Sequence, residues 1–219
     1  MVELYRALTS GTKDGDDASL GEAPADRKKE ILQCAIQLIL DEGMTRVTIR
    51  RVAEAAGVST GLVLYHFATK EELIAEAWRL ALHQSREKIR AAVGDVQGRD
   101  LMDAIFRFRF QDDEASNVPW IFWLEYWTHA ARTEELRLHH SQTYSLMQGM
   151  DLEQVRSAMA SGQIREDLDP AMIVDLFHAT FCGLIVKVVL DKESITGPRA
   201  LDLGRLFLSL IAPPEPAKP

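Results

Sequence analysis

Apolar side chains recur at intervals of three and four residues along most of this 219-residue chain. The first such series contains Ile31, Ala35 and Leu38, and others begin at Ile49 and Leu73. This spacing places apolar side chains on one face of an α-helix. No run of alternating β-branched residues and no Asn-Gly turn competes with it, so we predict an all-α fold. The predicted helices cover residues 26–42, 48–56, 59–67, 70–93, 100–112, 117–131, 134–160, 170–191 and 198–211.

Prolines and helix lengths divide the chain. Four of the eight prolines fall in the last seven residues, and the other four stand at predicted helix starts. We therefore predict a disordered tail at 1–25 and a Pro-rich tail at 213–219. The short early helices form an N-terminal domain at 26–69, and the longer ones form a second domain at 70–212.

The charge distribution bears on the class of partner. The chain has 25 Lys and Arg against 33 Asp and Glu, a net charge of −8, which is unlike a protein that coats nucleic acid over its whole surface. Residues 26–80 differ, because eight basic side chains there balance eight acidic ones. Any contact with a polyanion is therefore expected in this segment.

Hydropathy and cysteine usage bear on the compartment. We expect no membrane span, which needs roughly 20 apolar residues, and no export signal. Cys34 and Cys182 form no Cys-x-x-Cys pair, and the adjacent His139 and His140 point apart on a helix. These patterns favour a cytoplasmic protein with reduced thiols, no metal site and no cofactor.

Residues 48–59 carry the signals of two helices joined by a tight turn. Thr48 is a favourable N-cap, Gly57 suits the left-handed position that ends a helix, and Ser59 can cap the next helix. Small and polar side chains at the start of that second helix allow close approach to base edges. The segment therefore predicts a helix-turn-helix that binds DNA.

The helix-turn-helix belongs to a longer set of residues with specific spacing, which contains Gly43, Thr48, Val52-Ala53, Ala56-Gly57-Val58-Ser59, Gly61, His66-Phe67 and Lys70-Glu71-Glu72-Leu73. In this set, which spans roughly 45 residues, the sequence resembles the tetracycline-repressor (TetR) family of bacterial transcriptional regulators. The resemblance implies a three-helix DNA-binding domain, a larger helical ligand-sensing domain, and a homodimer on a palindromic operator in double-stranded DNA.

The resemblance also implies roles for single residues. Thr48 and Lys70 match positions that contact phosphate, Thr60 and Gly61 match positions near the bases, and Arg50 matches a position that can read guanine. The complete set of candidate DNA contacts is Thr48, Arg50, Ser59, Thr60, Gly61, Val63, Tyr65, His66 and Lys70.

One position departs from the family pattern. Many members have tyrosine two positions before the histidine of His66-Phe67, whereas this chain has Leu64 and carries its tyrosine at 65. Leu64 cannot donate a hydrogen bond to phosphate, so Tyr65 and His66 are the candidates for that contact. The alternative is that Tyr65 is a packing residue.

Two other functions compete with DNA-dependent regulation. Gly57-Val58-Ser59-Thr60-Gly61 matches the Gly-x-Ser-x-Gly string of serine hydrolases, with Ser59 as nucleophile. That motif requires a strand before the serine, and a helical pattern stands there instead. The third possibility is a helical interaction module that keeps the helix-turn-helix as a scaffold only.

A tryptophan-rich helix follows residue 119. Its aromatic side chains occupy two faces, with Glu125 and His129 among them, and Phe106, Arg109 and Phe110 of the preceding helix can form an opposite wall. Such a surface suits either a buried core or a small-molecule cavity. The candidate ligand contacts are Phe106, Arg109, Phe110, Trp120, Trp123, Tyr126, Trp127 and His178.

The downstream half also resembles the choline-responsive betaine-regulator (BetI) branch of the TetR family. An aromatic box near a carboxylate can hold a quaternary ammonium by cation–π attraction. A similar box suits an apolar drug or a metabolite, so the sequence does not identify the small molecule that binds.

The helices at 170–191 and 198–211 carry more apolar surface than one chain is expected to bury. Two such helices from each of two chains would form a four-helix dimer interface, as the family resemblance also implies. The alternative is an intramolecular core. The apolar residues concerned are Ile173, Val174, Phe177, Phe181, Leu184, Ile185, Val188, Val189, Leu201, Leu206, Phe207 and Leu210.

Overall fold

The computed structural model describes residues 24–110 and 119–214, which form nine α-helices and no strand. The helices are α1 Pro24–Glu42, α2 Ile49–Ala56, α3 Thr60–His66, α4 Lys70–Val93, α5 Gly98–Phe110, α6 Trp120–Ala130, α7 Glu134–Ala160, α8 Pro170–Leu190 and α9 Gly197–Leu210. A 3₁₀ turn, Met44–Arg46, follows α1. The predicted all-α fold is confirmed, with helix ends close to those expected. Of the predicted tails at 1–25 and 213–219, residues 1–23 and 215–219 lie outside the described residues, as do the predicted helix ends at 111–112 and 117–118. The first tail is predicted two residues too long, because α1 already begins at Pro24.

The first three helices pack around a small apolar core. Ile31, Val52, Val63 and Phe67 are each inaccessible to solvent, and they bring α1, α2 and α3 together. Burial of four such side chains stabilises this unit by roughly 1.5–3 kcal/mol each. Helix α4 packs against α1, so the unit continues directly into the larger helical bundle.

The larger bundle is built from α4 to α9. Helix α5 packs most extensively against α9, where Phe106 lies against Gly204. A Cβ at Gly204 would stand 2.6 Å from the Phe106 ring, so only glycine permits this crossing. Helix α7 packs against both α4 and α8, which closes the bundle around its aromatic interior.

Helix α8 is the one described helix that is long and apolar enough to cross a bilayer. A core helix of a folded bundle can have the same length and composition. Polar groups of α8 bind to α7, since Asp175 accepts a hydrogen bond from Gln148 at 2.8 Å and His178 is hydrogen-bonded to Tyr144 at 2.7 Å. Packing against α7 within the bundle therefore covers one side of α8.

Candidate DNA-binding surface and ligand cavity

Side-chain caps set the geometry of the helix-turn-helix. The Thr48 hydroxyl accepts a hydrogen bond from Arg51 N–H at 3.2 Å, and the Ser59 hydroxyl accepts one from Leu62 N–H at 3.2 Å. Gly57 has φ +65° between the two helices, a conformation that glycine adopts readily. All three predicted cap roles are confirmed, and they present the start of α3 to solvent.

The outer face of α3 is open to solvent. Thr60 and Gly61 are exposed, and Tyr65 is 81% exposed. This placement removes the packing alternative for Tyr65 and leaves its hydroxyl available to a phosphate. Val63 is 0% exposed and belongs to the core beneath, so its predicted DNA contact is wrong, because a fully buried side chain offers no surface to a base.

Arg50 lies on the exposed side of α2. Its Nε is 2.9 Å from Glu54 Oε1, and both side chains remain largely exposed. An exposed ion pair of this kind contributes little stability, so the Arg50 guanidinium can exchange Glu54 for another partner. The neighbouring Arg51 instead pairs with Glu42 and donates to the Arg46 carbonyl, which ties α2 to the end of α1.

His66 and Lys70 flank the end of α3. His66 is half-buried between the rings of Tyr65 and Phe67. Burial, and then the nearby Lys28 ammonium, lower the pKa of His66 below its usual range. His66 is therefore neutral at pH 7 and can donate a hydrogen bond without adding charge. Lys70 is the first residue of α4 and is partly exposed.

An aromatic cavity of about 360 Å³ lies in the C-terminal bundle. Helices α4 to α8 all contribute to its wall, which includes the four tryptophans of the chain. Its volume and lining are typical of a small-molecule site. The lining residues are Trp78, Leu82, Arg109, Trp120, Trp123, Trp127, His140, Tyr144, Met147, His178, Phe181, Cys182 and Ile185.

The structure brings five of the eight predicted ligand contacts together in this wall, namely Arg109, Trp120, Trp123, Trp127 and His178. The other three, Phe106, Phe110 and Tyr126, pack behind it. Phe106 is enclosed by Gly204 and Phe177, Phe110 stacks on Trp120, and Tyr126 stacks on Trp78 at 4.5 Å. Their prediction as ligand contacts is corrected, because their rings are buried against other side chains rather than against the cavity.

Sequence reasoning missed the contributions of α4 and α7 to the wall. Trp78 lies in the buried face of α4, and helical spacing does not show which cavity a side chain borders. His140, expected to be a poor metal ligand, lines the cavity, and burial lowers its pKa so that it is neutral at pH 7. Phe181, expected at a dimer interface, lines the cavity instead. Seven other residues expected at that interface are buried within the chain, namely Ile173, Val174, Phe177, Leu184, Ile185, Leu201 and Phe207.

Polar groups of α7 and α8 form a chain at the cavity wall. The Tyr144 hydroxyl is 2.7 Å from His178 Nδ1, and His178 Nε2 is 2.9 Å from Asp151 Oδ2. Asp151 also pairs with Arg86 at 3.4 Å, outside the cavity. Burial raises the pKa of Cys182 to about 11, so this thiol stays protonated and unreactive at pH 7.

Glu125 connects the tryptophan-rich helix to the N-terminal unit. Its carboxylate accepts a hydrogen bond from Met44 N–H at 2.9 Å, in the 3₁₀ turn that precedes the helix-turn-helix. The hypothesis that Glu125 is a polar group of the cavity is therefore corrected. Helix α6 instead lines the cavity with its tryptophans and contacts the N-terminal unit with Glu125.

A second cavity of about 430 Å³ lies near the end of α4, with Arg86, Arg90 and Asp95 in its wall, and lacks the aromatic lining of the first. Within residues 24–110 and 119–214, no cluster of three His, Cys, Asp or Glu side chains could hold a metal ion.

Both the N-terminal unit and the C-terminal bundle match families of known proteins. Residues 31–77 match the family of bacterial regulatory proteins called tetR, and residues 98–213 match the C-terminal domain of BetI-type transcriptional repressors. The HTH-type transcriptional regulator BetI of Brucella anthropi is 29% identical over 189 residues, which cover 84% of this chain and 92% of that protein. The BetI regulator of Rhizobium meliloti is 31% identical over 112 residues, which span only about half of either chain (51% and 55%).

Solved structures share the fold at lower identity. A TetR-family transcriptional regulator from Rhodococcus sp. superposes with a TM-score of 0.77 at 23% identity, covering 86% of this chain and all of that one. A transcriptional regulator from Saccharomonospora viridis, solved in complex with choline, gives a TM-score of 0.69 at 20% identity and covers 84% of this chain and 96% of its own.

Proposed function

Because this chain belongs to the tetR family of bacterial regulatory proteins, with a C-terminal domain of the BetI repressor type, we propose that it binds a palindromic operator as a homodimer and releases it when a small molecule fills the aromatic cavity. The family and the curated relatives are transcriptional regulators, not enzymes. The observation that carries the proposal is one helix, α4, which starts at the helix-turn-helix and lines the cavity.

Operator contact is assigned to the exposed caps and the outer face of α3. All of these residues are at least partly accessible, and all except Gly61 carry polar side chains, which is what base and phosphate contacts require. All except Lys70 lie on or cap the short helices α2 and α3. The assigned residues are Thr48, Arg50, Ser59, Thr60, Gly61, Tyr65, His66 and Lys70.

An apolar stripe on α8 supports the homodimer. Exposed Met172, Leu176, Val186 and Leu190 recur with spacings that place them on one helix face, and the exposed Ala179 and Gly183 lie between them. Leu206 and Leu210 of α9 are also more than half exposed. A contiguous apolar surface of this kind marks a protein interface, and small residues at its centre let two helices approach closely.

Two connections couple the cavity to the helix-turn-helix in this proposal. Helix α4 carries Trp78 and Leu82 in the cavity wall, and its N-cap Thr69 donates a hydrogen bond to Glu135 of α7 at 2.8 Å. Helix α6 carries three cavity tryptophans and reaches Met44 through Glu125. A ligand that shifts either helix can favour an arrangement that no longer fits DNA. In this proposal the protein is cytoplasmic, residues 26–69 form the DNA-binding domain, and residues 70–212 form the ligand-sensing and dimerisation domain.

The two competing functions fare differently. Ser59 follows a helix, whereas the nucleophile elbow of a serine hydrolase follows a strand. Its hydroxyl caps α3, so the structure does not support Ser59 as a nucleophile. The scaffold-only module differs from a repressor in one measurable property, which is sequence-specific DNA binding.

Selection of genomic fragments by the purified full chain tests the proposal. We expect recovery of fragments that share a palindrome with half-sites about one DNA turn apart. The matched control is the double variant Thr60→Glu, Tyr65→Glu, which changes only exposed side chains and should fold normally but recover nothing. An absence of enrichment by the parent protein at low salt would favour the scaffold-only module, and a site without symmetry would contradict the dimer.

A further inference from the structure

A chain of hydrogen-bonded side chains connects the walls of the two cavities. Tyr144 and Asp151 lie seven residues apart on one face of α7, and His178 of α8 is hydrogen-bonded to both. The Asp151 carboxylate also pairs with the Arg86 guanidinium of α4 at 3.4 Å. Tyr144 and His178 line the aromatic cavity, whereas Asp151 and Arg86 line the second cavity. The polar groups of the aromatic wall are therefore held by an ion pair outside it.

The charged end of this chain fixes the position of each proton. Asp151 faces a guanidinium, and an ionised carboxylate can only accept, so His178 Nε2 must carry a proton and donate to Asp151. In a neutral imidazole the other nitrogen, Nδ1, then has no proton and can only accept. Burial raises the pKa of Tyr144 to about 12, so its hydroxyl keeps its proton and donates to His178 Nδ1.

The Tyr144 hydroxyl is therefore an acceptor toward the cavity. Its single proton is directed to His178, so only the oxygen lone pairs remain for a ligand. Among the described residues, this hydroxyl has no second hydrogen-bond partner. Because each hydrogen bond of a chain polarises the next, the Tyr144 oxygen is also a better acceptor than that of an isolated phenol.

We infer that the aromatic cavity takes a small apolar ligand of the alcohol or phenol class, whose hydroxyl donates a hydrogen bond to the Tyr144 oxygen. The inference rests on the proposed function for calling this ligand an effector, but binding itself does not depend on DNA. The cavity of about 360 Å³ equals the volume of roughly a dozen liquid waters, which admits a single substituted ring. The tryptophan rings pack the apolar body, Tyr144 selects the donor, and His178 and Asp151 are positioning residues.

Matched alcohols and ketones test this polarity, because an alcohol can donate a hydrogen bond whereas a ketone of nearly the same volume can only accept one. The full chain is titrated at pH 8, which favours neutral imidazole, with 1-phenylethanol against acetophenone and with cyclohexanol against cyclohexanone. Isothermal titration calorimetry gives the affinities. We expect the alcohol of at least one pair to bind about three- to tenfold more tightly than its ketone. Equal or tighter binding of both ketones, or no response to any compound, would overturn the inference.

Two conservative substitutions separate the hydrogen bond from packing. Tyr144→Phe removes only the hydroxyl and should abolish the difference between alcohol and ketone. Asp151→Asn should reverse the polarity, because the new amide oxygen can face Arg86 while its N–H donates to His178 Nε2. His178 Nδ1 then carries the proton and donates to Tyr144, whose own proton becomes available to a ligand. The ketone should therefore bind about three- to tenfold more tightly to Asp151→Asn than to the parent protein.

Asp175→Asn is the matched control for these variants. Asp175 also lies between α7 and α8, where it accepts a hydrogen bond from Gln148 at 2.8 Å, but it is exposed and is not a lining residue of the cavity. This substitution should leave the preference for the alcohol unchanged. Other polar groups of the wall affect all affinities, whereas the comparison with Tyr144→Phe isolates the contribution of one hydroxyl.

Thermal melts of the three variants accompany the titrations. A Tyr144→Phe variant that keeps the parent preference would remove Tyr144 from the binding site. A folded Asp151→Asn variant that gains no affinity for the ketone would overturn the positioning roles of Asp151 and His178. If Asp151→Asn does not fold, the titrations of the parent and of Tyr144→Phe decide.

Measurement of operator release separates this inference from the proposed function. An alcohol that binds through Tyr144 without releasing operator DNA would leave the hydroxyl site intact and contradict ligand-controlled release. Release by a ketone that binds as tightly as its alcohol would uphold ligand control and overturn the selection by Tyr144.

Discussion

Tyr65 in the helix-turn-helix is 81% exposed, whereas Trp123 in the C-terminal bundle is 5% exposed. Both are candidate functional aromatics, but one stands on a short capped helix and the other lies in a wall built by five helices. The candidate DNA-binding surface thus consists of side chains that contribute little to the core. The cavity consists of side chains that are also part of the core.

This difference predicts how each region responds to substitution. A change on the exposed surface can remove binding and leave the fold intact, because few contacts are lost within the chain. A change in the cavity wall alters packing and binding together.

Leu176→Asp has the largest expected effect. Leu176 is 53% exposed in the apolar stripe of α8, so a charge there should leave the monomer folded and prevent dimerisation. Loss of the second half-site should weaken operator binding by about 10²–10⁴-fold. Sedimentation and operator titration measure the two effects.

The matched control for this prediction is Leu138→Asp, at a leucine of α7 that is 55% exposed. It should remain dimeric and bind DNA normally. A Leu176→Asp monomer that keeps full operator affinity would remove dimerisation from the mechanism.

Trp123→Ala tests the buried side of the contrast. Truncation of a packed tryptophan should cost about 3–5 kcal/mol of unfolding free energy. Trp127→Ala should cost less, because Trp127 is only partly buried, while it also removes part of the cavity wall. Denaturant unfolding gives the stabilities, and tryptophan fluorescence and DNA release give the ligand response. Equal stability of both variants would contradict the structure, and an unchanged ligand response of folded Trp127→Ala would assign that residue to packing alone.

The two regions also differ in how much of them the sequence could predict. Thr48, Gly57 and Ser59 act on the backbone within three residues of themselves, so their roles follow from local sequence. The orientation of Phe106 away from the cavity depends on Gly204, about a hundred residues later, and no helical spacing contains that information. For the same reason, periodicity found Trp120, Trp123 and Trp127 but not Trp78 of another helix.

Val63 and Glu125 mark where local reasoning fails. Val63 lies within the predicted recognition helix, and only the packing of α3 on α2 shows that its side chain faces inward. Glu125 lies among aromatic residues in the sequence, yet its partner is a backbone N–H 81 residues earlier. Long-range contacts decide both positions.

Arg50→Ala probes the exposed surface at a single base pair. If Arg50 reads guanine, its loss should cost about 1–3 kcal/mol at one operator position and relax the preference there. The melting temperature should not change appreciably, since the Arg50–Glu54 ion pair is exposed. Operators substituted one base pair at a time provide the measurement. A uniform loss on every operator would reassign Arg50 to a phosphate.

Glu125→Gln should have the smallest effect, and it tests the contact where the two regions meet. The amide oxygen of Gln can still accept from Met44 N–H, but a hydrogen bond to a carboxylate is roughly twice as strong as one between neutral groups. We therefore expect operator affinity without ligand to stay within about twofold and the ligand concentration for half-release to rise a few-fold, a change of less than about 1 kcal/mol. Glu125→Ala should raise the half-release concentration further, because it leaves the buried Met44 N–H without an acceptor.

Fluorescence-anisotropy titrations of labelled operator, with an effector of the parent protein, measure the operator affinity and the half-release concentration. If stability falls through the series while the half-release concentration stays constant, Glu125 holds the two regions together without transmitting the ligand signal, and α4 alone provides the connection.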